Sequence, residues 1–346
     1  MLPVRTALRI ARRYLERRAG IRRPIYCSWY VTAHCNRRCQ GCVFFERFAG
    51  EEPELSTAEA LDAVDQLGAL GLPVLIFVGG EPLLRADLGN LLIRARARGM
   101  RTALFTNGDP LTPDLAQRLS HHLDVLIVSL DGLGPGHDRV RGKGSFDRAF
   151  KGLLCYREHR VRAEARLYAN VGLHRNNLDS VEPLLHELLA AGIDRIKLQP
   201  NFIRQYKPEP AAAAALVDRL EALWRRHPDR ILGDPIYFRD LRLYFTRDDN
   251  RAFCGAASLS HLALLPDGTV SACCDFPLPL GSLRSEPLAR ILSRDHTTAL
   301  SRVSECDGCI RRDYQLQREI FDRPPWRVRP AALRSLWRLG RMRSRA

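Results

Sequence analysis

An α/β fold with a small cysteine-bearing appendage is predicted from two observations. Strand-like apolar runs and amphipathic stretches alternate six times between residue 25 and about residue 230, and the chain changes character near Asn250. Strand–helix pairs in series are the signature of a parallel sheet, either open or curled into a barrel. The strand runs are Ile25–Thr32, Val74–Val78, Thr102–Thr106, Val125–Leu130, Arg166–Leu173 and Arg195–Gln199. Between them, Ser56-Thr57 caps a helix running to Leu70, because a hydroxyl there accepts an orphan backbone N–H, and Asp87 begins another that ends near Gly99. Further helices are expected at Thr112–Leu119, Phe146–His159, Leu178–Ala191 and Ala212–His227. No longer internal repeat is superimposed on this alternation.

Past Asn250, Leu262–Leu265 and Thr269–Cys273 read as a β-hairpin, because Pro266-Asp267-Gly268 supplies the turn. Two short helices, around Leu288–Ser293 and Thr297–Val303, lead to Cys306 and Cys309. The expected organisation is a basic helix over 1–24, the α/β unit over 25–235 and a cysteine-bearing unit over 250–312. After Pro-rich Asp322–Pro330, a basic tail with an amphipathic helix completes 313–346.

At 346 residues the chain accommodates one large domain with an appendage, or two domains, and 45% hydrophobic content is ordinary for a globular protein. The basic N-terminus has no apolar stretch long enough for a signal-peptide core, and no run approaches the ~20 apolar residues of a membrane span. Ten cysteines in such a chain point to a reducing cytoplasm and to metal ligation rather than a disulfide framework.

The net charge of +15 belongs to the two ends. Residues 1–25 carry eight Arg and one Glu, and residues 318–346 nine Arg, one Glu and one Asp, so the 292 residues between are nearly neutral. Lysine is almost absent, at 143, 151, 197 and 207 only. In the first terminal helix, Val4, Leu8, Ala11 and Leu15 share a face opposite Arg5, Arg9, Arg12 and Arg13. In the last, Leu333, Leu336 and Trp337 align against Arg334, Arg338 and Arg341. One reading is peripheral attachment to an anionic membrane, at the inner surface. The other, preferred for the first helix, is a cover for the barrel's open edge, with the apolar face inward and the arginines solvated. Nucleic-acid binding is disfavoured, because aromatic residues are not interleaved with the charge.

Chemistry concentrates in Cys35-x-x-x-Cys39-x-x-Cys42, directly after the first strand. Three thiolates so close together can hold three corners of a 4Fe–4S cluster and leave the fourth iron open to a small molecule. A zinc site borrowing a distant fourth ligand is the alternative. The loop follows the carboxyl end of a strand, the face where α/β barrels place their active sites. Gly79-Gly80-Glu81-Pro82, Thr106-Asn107-Gly108 and Ser129-Leu130-Asp131-Gly132 end the next three strands at that same face. Each alone is an ordinary turn; the ordered set is not.

That set resembles the radical S-adenosylmethionine (radical SAM) enzymes. The stretch His137-Asp138-x-x-Arg141-Gly142-x-x-Ser145-Phe146 is similar to a loop of their peptide- and small-molecule-modifying branch. Gly41 departs from the many members that have an aromatic residue there. The resemblance implies a partial (β/α)6 TIM-type barrel in which Cys35, Cys39 and Cys42 hold a SAM-binding 4Fe–4S cluster. It further implies that Gly79, Gly80, Glu81 and Pro82 receive the methionine amino group, that Ser129 and Asp131 meet the ribose, and that backbone near Gln199 contacts adenine. Asn107 and Arg141 complete this cofactor-binding set. An electron delivered to the cluster by a partner such as flavodoxin or ferredoxin would cleave SAM to a 5′-deoxyadenosyl radical that abstracts hydrogen from substrate.

Cys254, Gly268, Cys273 and the Cys306-x-x-Cys309 pair are similar in spacing to the shortened twitch form of the SPASM domain. The resemblance implies one auxiliary 4Fe–4S cluster on Cys254, Cys273, Cys306 and Cys309; a structural zinc knuckle is the alternative. Cys274 is an adjacent spare that could substitute as a ligand or donate a hydrogen atom, with a bystander role preferred, and Cys27 and Cys155 read as buried strand and helix cysteines. His34 and His174 sit where they can face the active site, with a structural or solvated role preferred for each.

Nothing in the variable segments spells out a substrate. A small or lipid-like molecule ranks first. A ribosomal peptide ranks second, because the 34 residues before Cys35 are too few for the leader-binding domain of many peptide-modifying members. A non-catalytic iron–sulfur electron-transfer or carrier protein ranks third.

Overall fold

Helix caps and strand patterning place the elements close to where the sequence puts them. The computed structural model describes residues 4–47, 53–247, 256, 259–306 and 308–309. In chain order its first elements are α1 (Val4–Arg18), β1 (Tyr26–Tyr30), α2 (Val43–Arg47), α3 (Thr57–Ala69), β2 (Val74–Val78), α4 (Leu88–Ala97), β3 (Arg101–Thr106) and α5 (Pro113–His122). Next come β4 (Val125–Ser129), α6 (Pro135–Arg141), α7 (Ser145–His159), β5 (Arg166–Leu173), α8 (Leu178–Ala190), β6 (Arg195–Pro200), α9 (Pro210–Arg226), β7 (Ile231–Leu232) and α10 (Pro235–Thr246). The last are β8 (His261–Leu264), β9 (Thr269–Ser271), β10 (Pro279–Ser282), α11 (Leu288–Ser293) and α12 (Thr297–Ser301).

Ser56 and Glu59 form a reciprocal capping box at the start of α3, satisfying two of its orphan donors. Thr112 caps α5 through the Leu115 N–H at 3.3 Å. The strands form one sheet in the order β10-β9-β8-β1-β2-β3-β4-β5-β6-β7. β1 through β7 run parallel, each to the next, and β5 alternates fully buried with half-buried residues. Its buried set, Leu167, Ala169, Val171 and Leu173, belongs to the core; its other set includes Asn170 and Gly172, which line a cavity. Tyr26 and Ser28 of β1 line that cavity together with Lys197 and Gln199 of β6. Strands five places apart in the sheet share one hollow, so the sheet is curled. This is the partial TIM-type barrel, whose outermost strands among the described residues are β10 and β7.

Three differences from the sequence expectation have physical reasons. β7 is only two residues long and leaves no periodic signal, although the Asp234 cap and Pro235 at the start of α10 are readable start marks. The hairpin of the cysteine-bearing unit is not set apart from the barrel: β8 pairs with β1 in parallel, Tyr26 opposite His261 through Trp29 opposite Leu264. Composition changes near residue 250, but hydrogen bonding along β1 does not respect that boundary.

The third difference is the orientation of α1. The expected face is reversed. Arg13 is 3% exposed and Arg9 is half-buried, while Leu8 and Leu15 are 63% and 66% exposed. The helix lies against the α/β unit through its cations, with Ile10 and Tyr14 at the edge of the core. Residues 310–346, and with them the expected C-terminal helix, lie outside the described residues.

Candidate active site

The cysteine loop leaves β1 and is clamped by the exits of β2 and β3. Val31, Gly80 and Glu81 continue the β1–β2 pairing past the strands, through Val31 N–H to Val78 O at 2.9 Å, Gly80 N–H to Thr32 O at 2.8 Å and Glu81 N–H to His34 O at 2.8 Å. This close approach is what the two glycines serve. A Cβ on Gly79, whose φ is +139°, would sit 2.5 Å from Thr32 O, and one on Gly80 would sit 2.2 Å from His34 O. Gly41 is fixed in the same way. Its φ is +68° and a Cβ would sit 2.4 Å from Asn201 Nδ2, which accounts for the missing aromatic residue.

A polar chain holds the rest of the loop. Asn107 Nδ2 donates to Asn36 Oδ1 at 2.6 Å, Asn36 Nδ2 donates to Asp109 Oδ2 at 3.2 Å, and Arg37 pairs with Asp109. Arg37 and Asp109 were not singled out from the sequence; the readable signal was their place beside Cys35 and Thr106-Asn107-Gly108.

The Glu81 side chain sits behind the cavity wall rather than on it. It is fully buried and is not among the cavity-lining groups. It accepts from the Thr106 hydroxyl at 2.8 Å, the Asn107 N–H at 2.7 Å and the Leu83 N–H at 3.1 Å, tying β2 to β3. Burial pushes its carboxyl up to about 7, outweighing these donors.

The other barrel candidates meet around one cavity of about 310 Å³. Cys35, Cys39 and Cys42 line it from the loop, and Gly79, Gly80 and Pro82 from the end of β2. Asn107, Ser129 and Asp131 reach it from the ends of β3 and β4, Arg141 from α6 and Gln199 from β6. Asp131 is buried, and Arg141 Nε donates to its Oδ2 at 2.5 Å while the Gly172 N–H donates to its Oδ1 at 2.9 Å. Burial pushes the Asp131 carboxyl up, but Arg141, His137 and these hydrogen bonds hold it below the usual carboxylate range.

The Asp131 N–H in turn donates to His137 Nδ1 at 3.1 Å, which fixes the proton of the neutral ring on Nε2. Burial, with Arg141 adding, pushes His137 down to about 4 from its ordinary 6.5. Between those values an unfolded chain binds a proton that the folded chain does not. Stability is therefore expected to fall as pH drops through that window, by at most about 1.4 kcal/mol per pH unit. Thermal melts at successive pH values check this, and His137→Asn, which keeps an acceptor for the Asp131 N–H, is expected to flatten the slope.

The cavity wall fits a polar ligand beside a metal cluster. Among the described residues, Gln199 Nε2, Asn170 Oδ1 and His174 Nε2 are buried there without a hydrogen-bond partner, an arrangement that costs energy unless a ligand satisfies them. Burial pushes the Cys35 thiol up to about 11 and the Cys39 thiol up as well, so thiolates at these positions need a strongly cationic partner. Among the described residues no three His, Cys, Asp or Glu side chains converge on a single point. The two histidines separate: His34 is solvated, while His174 is buried in the cavity wall.

In the second unit Cys273 and Cys309 are buried and Cys306 is half-buried; Cys254 lies outside the described residues. The Cys273 and Cys306 sulfurs each accept a backbone N–H from two residues on, Asp275 at 3.3 Å and Gly308 at 3.4 Å. Cys274 is buried at the junction of the hairpin and β1. It lines the barrel cavity, and Tyr30 Oη donates to its carbonyl at 2.5 Å, tying β1 to the hairpin loop. Cys27 is buried as expected, whereas Cys155 is half-buried beside His159 on α7.

The radical SAM superfamily model matches residues 29–188, and an iron–sulfur cluster-binding SPASM domain matches residues 254–310. Together these take in more than half of the chain. An Fe-coproporphyrin III synthase of Methanosarcina barkeri is 38% identical over 144 residues, 41% of this chain and 36% of that protein. A mycofactocin maturase of Mycolicibacterium smegmatis is 38% identical over 138 residues, 39% of this chain and 34% of that protein. The chain thus spans less than half the length of these curated relatives. Streptococcus suis SuiB, solved bound to S-adenosylmethionine, superposes with a TM-score of 0.63 at 16% identity, over 83% of this chain and 68% of that one, a likeness of fold. With its curled parallel sheet and clamped cysteine loop, the chain belongs to the radical SAM superfamily, whose 4Fe–4S cluster and SAM it shares, and carries a SPASM iron–sulfur domain beyond the barrel.

Proposed function

We propose that this radical SAM enzyme acts on a compact organic substrate bearing an anionic group, held inside the barrel by Lys197. When bound, the cluster and SAM supply a 5′-deoxyadenosyl radical once a reducing partner such as flavodoxin or ferredoxin delivers an electron. On this reading Cys35, Cys39 and Cys42 hold the SAM cluster, and Cys254, Cys273, Cys306 and Cys309 hold the auxiliary one. Gly79, Gly80, Pro82, Asn107, Ser129, Arg141 and Gln199 surround SAM, while Asp131 orients Arg141, and Glu81 holds the ends of β2 and β3 together.

One observation carries the substrate class. Ser129 pairs with Asn170 across β4 and β5, and Asn170 with Lys197 across β5 and β6, so three polar side chains form a row in the cavity wall. Lys197 is 8% exposed, its ammonium 5.8 Å from the centre of the Phe105 ring. The facing side is apolar and aromatic, with Tyr26, Tyr30, Ile76, Val78 and Phe105. An ammonium beside an aromatic wall suits a molecule with an apolar body and a carboxylate or other anion. The relative named Fe-coproporphyrin III synthase supports a small-molecule substrate.

The test is anaerobic incubation of reduced, cluster-loaded protein with SAM and the low-molecular-weight filtrate of a cell extract, measuring 5′-deoxyadenosine. The filtrate is expected to stimulate its formation, before and after protease treatment. Lys197→Met is expected to lower the stimulated rate on the order of 10–100-fold at limiting filtrate, the worth of a charge-assisted hydrogen bond. Loss of stimulation after protease would favour the second reading, a peptide substrate, which the relative named mycofactocin maturase supports. An electron carrier would cleave no SAM at all.

A further inference from the structure

We propose that the outward face of α1 docks on an anionic membrane surface. No helix among the described residues is long and apolar enough to cross a membrane, so the contact is peripheral. The observation behind it is the reversal of the helix. Arg9 Nη1 donates to Leu72 O at 3.0 Å and Gly99 O at 2.9 Å, and its Nη2 to Arg98 O at 2.9 Å. Arg13 donates to Leu70 O. These carbonyls lie at and just past the carboxyl ends of α3 and α4, where unpaired carbonyls and the negative ends of two helix dipoles gather. Cations suit that surface better than leucines do, so two arginines turn inward and the apolar stripe turns out.

The stripe is continuous. Leu8, Ala11 and Leu15 are exposed on successive turns, and Ile21 is exposed just after the helix. These include three of the six well-exposed large hydrophobic residues among the described residues. Arg12, Arg18, Arg22 and Arg23 are exposed around it. An apolar stripe rimmed by arginine matches a layer of anionic headgroups over acyl chains.

Charge decides against the other occupants. Residues 1–25 carry eight Arg and one Glu, and residues 318–346 nine Arg and two acidic residues. Like charge disfavours the C-terminal segment as the cover of α1, and equally a second copy of α1.

The full, cluster-loaded protein is to be sedimented with phosphatidylcholine vesicles and with vesicles containing about 30% phosphatidylglycerol. Binding is expected to the second only, and to weaken as salt rises. Leu8→Ser/Leu15→Ser is expected to weaken it on the order of tenfold or more, through lost apolar burial. Iron content and melting temperature should not change, because both leucines already face water. No binding by the wild type overturns the proposal, as does undiminished binding by the double variant, which would assign the attraction to charge alone. Lipid-independent dimerisation abolished by the double variant also overturns it, in favour of a second copy.

Discussion

Cys39→Ala is expected to abolish SAM cleavage and to lower the iron of anaerobically reconstituted protein from about eight to about four per chain. Cys39 lies in the cavity wall, in a loop whose backbone is pinned to β2 and whose Asn36 is tied to β3. Removing its sulfur takes away one corner of the cluster site without loosening that clamp, so the loss falls on chemistry rather than on folding. Cys306→Ala separates the two cysteine sets. Its sulfur lies outside the barrel cavity, and the variant is expected to keep part of the SAM cleavage while losing product. Equal loss of both activities in Cys306→Ala would mean that the second unit is needed for the barrel to fold, in keeping with the pairing of β8 on β1. Stoichiometric zinc with only about four iron would replace the auxiliary cluster by a zinc knuckle.

What the sequence made legible is local, and what it hid depends on how distant segments meet. Six strands and their helices could be read because alternation of apolar runs and amphipathic stretches is a property of adjacent residues. The cysteine loop and the three strand-end motifs pointed to one edge of a parallel sheet for the same reason. Lys197 and Asn170 could not be picked out: they are mid-strand polar residues that become cavity groups only because the sheet curls. The clamp of Asn36 and Arg37 on Asp109 spans some seventy residues of chain. Glu81 shows the limit of a motif, since its presence was legible but its turn away from the cavity toward Thr106 and Asn107 was not. In α1 the periodicity marked an apolar stripe, but the stripe turns outward, and of the arginine set Arg9 and Arg13 turn inward while Arg12 stays exposed. Apolar-in is the rule when the partner is apolar, and here the partner is a set of helix-end carbonyls.

Asp131→Ala is expected to cost roughly 3 kcal/mol of stability, the low end of the penalty for removing one partner of a buried ion pair, because the Arg141 side chain is 19% exposed. The resemblance implies that Asp131 meets the ribose of SAM; in the structure its carboxylate also holds two groups of the protein. Oδ2 holds Arg141 Nε at 2.5 Å, and Oδ1 holds the Gly172 N–H at 2.9 Å, close enough that a Cβ on Gly172 would sit 2.6 Å from that oxygen. The Asp131 carbonyl accepts from Asn177 Nδ2, so the residue joins β4, α6 and the end of β5. With alanine, the half-buried Arg141 guanidinium keeps its charge and loses its carboxylate, and the half-buried Gly172 N–H loses its acceptor. The melting temperature should fall on the order of 5–10 °C in a chain of this size. Asp131→Asn, which retains an acceptor for Gly172 but not the charge, should fall in between. SAM affinity of the folded fraction, measured by equilibrium dialysis below the melting range, separates the two roles. A residue that chiefly positions Arg141 loses stability and SAM affinity together, and Arg141→Lys reproduces part of the affinity loss. An Asp131→Ala protein that melts like the wild type yet binds SAM weakly would return the carboxylate to direct contact with the ligand.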